Sequence, residues 1–547
     1  MVNFVYQLQD SIKRNWNRPA VGDFGVSDRT YGELAENNAR LKVLWQACGI
    51  HEGDKVAINA KSSANWIQVF MAAVSGGFVS VELFNGFLPK DTMNLVNHSE
   101  SRILYTEGPI FDKMDFEAMP DIVAAIDLNT MEVLASRGDF QQKLDNLDKL
   151  MAEAYPGGFG PENVDYSARQ MDDICAIMYT SGSTGNPKGV MLSYKNISWN
   201  VEHVPEYCPY KEGETYTSIL PYAHIFGLVC DGIIPLCIGM HTVVLCKPPI
   251  PSNVEAILRE YKPRIFFAVP LVLSKFVEYT VGAELRSEEG QMKMADYTKY
   301  PEYCQMLKDK VMMALGGRIE TFLTGGAAIP PEVESLLAFK LKLPFATGYG
   351  MTETAPVLSI GRVGQYKARS CGEVLPTLQA RIDSPDMHSI AGELQIKGDN
   401  VFAGYYKNPE ATAAAFTEDG WLHTGDMGTI DEDNILFLLG RCKSMILSEN
   451  GQNVYPEEIE SILNALPYVA ESLIVQRGNC IHAIIVPNAD RATMNNLDAQ
   501  SLQTVMESNV KKLNISIPQY AKVTSFEMRM EPFAKTPKGS IKRFMYA

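Results

Sequence analysis

An apolar run, Ile174-Cys175-Ala176-Ile177-Met178-Tyr179, stops abruptly at Thr180-Ser181-Gly182-Ser183-Thr184-Gly185-Asn186-Pro187-Lys188-Gly189. The run reads as a buried strand. The segment after it is too rich in glycine and hydroxyls to continue that strand. Glycines let backbone N–H groups close on an anion, Ser and Thr add short donors, and Lys188 adds a point charge. This is the composition of a loop that holds a polyphosphate. It is not the P-loop of the nucleotidases, which ends in Gly-Lys-Ser/Thr, because Lys188 is followed here by Gly189 and Val190.

Strand-like runs such as Lys55–Asn59, Phe78–Val81 and Arg264–Pro270 alternate with helical patterns through most of the chain. That order predicts an α/β class with mostly parallel sheets covered by helices. Segment 283–313 is polar and of mixed charge, and reads as helical surface or a lid-like insertion. From about residue 370 the texture changes to short strands broken by Gly, Pro and Asp: 392–397, 401–406, 428–431 and 435–439. After Gly440 comes a compact tail, with a helix from Pro456, strands near 473–476 and 480–486, and a helix near 502–513. A chain of 547 residues is too long for one core.

The net charge of −16 argues against a nucleic-acid partner, which normally meets a basic face. Ten cysteines without a C-x-x-C pair argue against a disulfide framework or a zinc site, and reduced thiols fit a cytoplasmic location. The start, Met1-Val2-Asn3-Phe4, has no signal-peptide pattern. The most apolar stretch, Ile225–Cys246, carries Asp231, Pro235, Gly239 and His241. It reads as a buried helix, turn and strand, with no transmembrane span expected and peripheral membrane contact left open.

The order of residues in the loop resembles the phosphate loop of the adenylate-forming enzymes: acyl-CoA synthetases, luciferases and peptide-synthetase adenylation domains. The resemblance recurs at Gly348-Tyr349-Gly350-Met351-Thr352-Glu353-Thr354, Gly392-Glu393-Leu394, Thr424-Gly425-Asp426 and Gly440-Arg441-Cys442-Lys443, and ends near Lys535-Thr536-Pro537. Earlier, Arg29-Thr30-Tyr31-Gly32-Glu33-Leu34 looks like the family's T-Y-x-E-L segment. The resemblance implies two α/β subdomains and a distorted β-barrel over residues 1–440, a hinge at 441–445, and a small mobile α+β domain over 446–547.

It also implies the substrates ATP and coenzyme A, with Mg2+. Thr180, Ser181, Gly182, Ser183, Thr184 and Lys188 would hold the β- and γ-phosphates. Glu353, with Thr184, would bind magnesium, which takes hard oxygen ligands. Thr352 would contact the α-phosphate, and Tyr349, beside Gly350, suits stacking on adenine. Asp426 resembles the ribose anchor and Arg441 its second ribose contact. His224 matches the carboxylate-side position. Lys443 sits at the hinge, and Gly451 resembles the glycine that lets pantetheine pass. No Asp is evident between the His224–Phe226 and Phe267–Leu271 segments to pair with an amine, which counts against an amino-acid substrate.

One motif departs from the family. In the pattern T-x-x-G-K-x-x-R, direct alignment of Thr536–Arg543 puts Ser540 where the catalytic lysine is expected. Lys538 and Lys542 stand two residues away on either side, on the same face of an extended segment. The implied activity is an acyl-CoA synthetase for a medium- to long-chain fatty acid. The alternatives are an aryl or other carboxylate-CoA ligase and a non-catalytic adenylate-binding relative.

Overall fold

The computed structural model describes residues 1–546 apart from 167–168, 181–186, 448–451, 479 and 537–539. Its largest sheet has eight strands. The parallel centre runs Ile174–Thr180, Val79–Glu82, Lys55–Asn59, Ser101–Thr106 and Ala124–Asp127. Lys188–Ser193 returns antiparallel to Ile174–Thr180, and Gly404–Tyr405 pairs with Lys188–Ser193 at the edge. The expected strand–loop–return therefore closes at its base with Thr180 opposite Lys188.

The helix Ala64–Gly76 lies in the main core, buried on nearly every side. Ser63 caps it by accepting from the Trp66 N–H, and Gly77 stops it at φ 85°. The segment Arg29–Leu34 also has a physical explanation. Thr30 accepts from the Glu33 N–H while Glu33 reaches back to the Thr30 N–H, a capping box that starts the helix Tyr31–Ala47. Gly32 has no Cβ because one would press within 3 Å of the Trp16 ring.

A second sheet runs Ile265–Ala268, Thr321–Thr324 and Phe345–Gly350 in parallel, then Val357–Ile360 and Glu373–Val374 antiparallel. The polar segment 283–313 is helical surface, with helices Pro270–Arg286, Glu288–Ala295 and Pro301–Ala314. Ile225–Cys246 forms a buried helical stretch, a turn at Gly239 (φ 95°) and the strand His241–Val244. Among the described residues no helix is long and apolar enough to cross a membrane.

Two expectations need correction. The distorted barrel appears among the described residues as an open antiparallel sheet: Gln379–Asp383, Gly392–Lys397, Leu422–Ile430, Leu436–Arg441. The run 401–406 does not belong to that sheet, because Gly404–Tyr405 joins the edge of the eight-stranded one.

The tail from Ile446 onward builds its own apolar core, including Ile459, Leu463, Ile485, Met506 and Leu513. Its helices Pro456–Asn464 and Ala499–Ser516 pack with a sheet of Val469–Arg477, Cys480–Pro487 and Ser525–Met528. The helix Pro456–Asn464 meets the strand Leu436–Arg441, and Glu458 pairs with Arg369 of the N-terminal part.

Candidate active site

The carboxyl end of strand Phe345–Gly350 presents Tyr349 to strand Leu422–Ile430. Its hydroxyl donates to Asp426 Oδ2. Arg441 is the cross-strand neighbour of Asp426, and its Nε lies 2.9 Å from Oδ1. Asp426 is only 7% exposed. Burial pushes its pKa up, while the Arg441 charge and the Tyr349 hydroxyl pull against that rise. Burial and the Asp426 charge hold the Tyr349 hydroxyl far above its ordinary range, so it remains a donor.

The turn that carries Asp426 is fixed by a residue whose role the motif alone does not reveal. Glu393 accepts from the Gly425 N–H (3.0 Å) through Oε1 and meets His423 Nδ1 (2.7 Å) through Oε2. Gly425 has φ 71°, a conformation that glycine adopts without strain. Gly350 is required by its surroundings, since a Cβ there would lie 1.9 Å from the Pro356 carbonyl oxygen.

Glu353 lies in the short turn Thr352–Thr354, just beyond that strand. The Tyr405 hydroxyl donates to its Oε1 at 2.8 Å. Lys188 Nζ stands 4.7 Å from the centre of the same Tyr405 ring. The structure thus brings Glu353 and Lys188 to one aromatic side chain that sequence reasoning missed. Thr352 is buried beside Glu353.

His224, Tyr349, Gly350 and Met351 line a narrow cavity of about 50 Å³. The Phe226 and Phe267 rings, stacked at 5.8 Å, form part of its wall. His224 Nδ1 accepts from the Phe226 N–H at 3.3 Å.

Asp231 falls in the region where no Asp was expected to pair with a substrate amine. It is fully buried and accepts from the Tyr216 hydroxyl (2.6 Å) and from the Ile219 and Leu220 N–H groups (both 3.0 Å). Burial raises its pKa to about 7, against the pull of those donors. Its hydrogen bonds serve the fold, which keeps the argument against an amino-acid substrate.

Ser181, Gly182, Ser183, Thr184, Gly451 and Lys538 lie outside the described residues. Lys443 sits in the turn Cys442–Ser444, directly after Arg441. Ser540 faces Thr536 across a bridge at Lys535 and Ile541, and its carbonyl accepts from the Thr536 N–H. Lys542 is not among the residues lining the cavity. Its neighbour Arg543 is clasped by Glu460 and Glu457 at the start of the helix Pro456–Asn464.

A family model described as AMP-binding enzyme matches residues 8–406, and another, AMP-binding enzyme C-terminal domain, matches residues 443–546. The chain belongs to the AMP-binding enzyme family. Fatty acyl-CoA synthetase A of Dictyostelium discoideum is 27% identical over 474 residues, 80% of this chain and 68% of that one. Feruloyl-CoA synthase of an Amycolatopsis species is 28% identical over 478 residues, covering 85% and 84%. The ATP-bound structure of MatB from Rhodopseudomonas palustris superposes with a TM-score of 0.75 at 21% identity, covering 100% of this chain and 98% of that one.

This AMP-binding enzyme is an AMP-forming acyl-CoA ligase that uses ATP, Mg2+ and coenzyme A. Glu353 offers a hard carboxylate oxygen of the kind magnesium takes. Among the described residues there is no group of three or more His, Cys, Asp or Glu side chains that could hold a metal ion by itself. Magnesium is commonly held by one or two protein carboxylates, with substrate phosphates and waters completing its shell.

Proposed function

We propose that this AMP-binding enzyme activates a medium- to long-chain fatty acid. The acyl carboxylate attacks the α-phosphorus of ATP, the bond to the β-phosphate breaks, and pyrophosphate leaves. The coenzyme A thiol then attacks the acyl carbonyl and AMP leaves. Fatty acyl-CoA synthetases among the relatives support the acyl class.

One observation carries the assignment of the site. Glu353 and Lys188 meet at Tyr405, while Tyr349, three residues before Thr352, reaches Asp426 and Arg441. In this reading Asp426 and Arg441 hold the ribose and Tyr349 faces the adenine. Thr352 meets the α-phosphate, and Thr180 and Lys188 hold the outer phosphates together with Ser181–Thr184. Mg2+, when bound at Glu353 with Thr184, supplies neutralisation of the phosphate charge. His224, which lines the cavity, orients the carboxylate. The hinge lies at 441–445, centred on Lys443, between units 1–440 and 446–547. Gly451 borders the pantetheine path, and Lys538 or Lys542 supplies the adenylation lysine.

An aryl carboxylate is a second reading, favoured by the narrow cavity and its stacked Phe226–Phe267 wall. The test is pyrophosphate release with fatty acids of medium and long chain and with aryl carboxylates, each with and without coenzyme A. Release and thioester formation with the fatty acids support the reading. Turnover with aryl acids alone replaces it with the second, and no release with any acid replaces both with a non-catalytic adenylate binder.

A further inference from the structure

Tyr405 is held from several sides. Its backbone joins the edge of the largest sheet, opposite Val190, and its N–H donates to Thr412 Oγ1 at 2.9 Å. Three residues earlier, the Phe402 N–H donates to the Glu353 carbonyl at 2.9 Å, and the Phe402 ring packs edge-on against Tyr405 at 4.9 Å. The segment 402–405 therefore grips Glu353 through both its backbone and its carboxylate. The Tyr405 ring, meanwhile, lies under the ammonium of Lys188.

We propose that Tyr405 is a positioning residue: its hydroxyl aims the Glu353 carboxylate at the metal, and its ring places Lys188 over the phosphates. The proposal rests on the reading of Glu353 and Lys188 as metal and phosphate ligands. A carboxylate that accepts a fixed hydrogen bond on Oε1 loses rotational freedom, so its other oxygen is presented in one direction. An ammonium over an aromatic face is steered without a counter-charge that would compete with phosphate. Burial and the Glu353 charge keep the phenol protonated, so Tyr405 donates and does not act as a base.

The two halves of Tyr405 are separable. Tyr405→Phe removes the hydroxyl and keeps the ring, whereas Tyr405→Leu removes both. Calorimetric titration with ATP alone, in EDTA and then in excess MgCl2, reads them apart without any acyl substrate. Tyr405→Phe is expected to bind ATP like the parent in EDTA but to lose about tenfold of the tightening that Mg2+ gives, the worth of one charge-assisted hydrogen bond. Tyr405→Leu is expected to lose affinity in EDTA as well.

A parent-like Mg2+ response in Tyr405→Phe overturns the proposal while the nucleotide site stands. Failure of the parent to bind ATP overturns the reading of the site and the proposal with it. Should Tyr405→Phe not fold, Lys188→Met carries the test: ATP affinity in EDTA falls and the Mg2+ tightening is retained. Undiminished affinity of Lys188→Met in EDTA removes Lys188 from the phosphates and overturns the role given to the ring, and undiminished affinity of Tyr405→Leu in EDTA overturns that role while Lys188 stands.

Discussion

Replacing Glu82 by Met should change how stability depends on pH. Glu82 ends strand Val79–Glu82 and pairs with Met178, two residues before Thr180, which ends the strand Ile174–Thr180. It is 1% exposed, and neither carboxyl oxygen has a hydrogen-bond partner among the described residues. Burial lifts its pKa from 4.5 to about 8. The folded chain keeps a proton that the unfolded chain gives up above 4.5. This contribution to stability is therefore complete below the unfolded value and is lost as pH rises through the folded one. At about 1.4 kcal/mol per pH unit, the loss between pH 5 and 7.5 is about 3 kcal/mol.

Methionine keeps the length and removes the ionisation. The melting temperature of Glu82→Met relative to the parent should therefore rise with pH. With an unfolding entropy of roughly 2 cal/mol/K per residue over roughly 400 residues, 3 kcal/mol corresponds to about 3–4 °C. Scanning calorimetry of both proteins at pH 5, 6, 7 and 7.5 measures the difference, in which titrations elsewhere cancel. A difference that stays constant across that range refutes the argument, because Glu82 would then titrate alike in both states.

Other expected outcomes concern the site. Asp426→Ala should weaken ATP binding by about 2–4 kcal/mol, and affinity within about twofold of the parent would remove Asp426 from the site. Glu353→Gln should abolish pyrophosphate release with the fold intact, since an amide is a poor magnesium ligand; normal release at saturating magnesium would contradict its role. Lys443→Pro should spare one half-reaction and impair the other, measured as pyrophosphate release against thioester formation from supplied acyl-adenylate, and equal effects on both count against a hinge there. Of Lys538→Ala and Lys542→Ala, one should strongly cut pyrophosphate release with little change in thioester formation; if neither does, the lysine lies elsewhere.

The legible parts of this chain are those whose physics is local. An apolar run places Lys55–Asn59 as a strand, and Gly239 ends the helical part of Ile225–Cys246 as expected, whereas Pro235 sits in the first turn of the helix Ile234–Ile238 and does not interrupt the helical stretch. The motif residues Asp426, Arg441, Tyr349 and Glu353 are legible as a set from the order of their motifs, and the fold brings Tyr349, Asp426 and Arg441 into contact. What escapes is non-local. Tyr405 reads as part of the late β-rich region because nothing near it in sequence names Lys188 or Glu353 as neighbours. Glu82 falls outside the predicted run 78–81 because a charged residue ordinarily ends a buried strand. The place of Asp231 is not legible because its donors come from residues 216–220, brought close only by the fold.

The junction between the N-terminal part and the tail can be considered as a mechanical joint. The two apolar cores do not merge across it. Contact is made by the helix Pro456–Asn464 against the strand Leu436–Arg441 and by charge, where Arg369 meets Glu458 with side chains 60% and 33% exposed. Such a pair holds with about 1 kcal/mol or less and weakens as salt screens it. Raised ionic strength should therefore weaken this ionic part of the seat while leaving both cores, and the helix–strand contact beside it, intact.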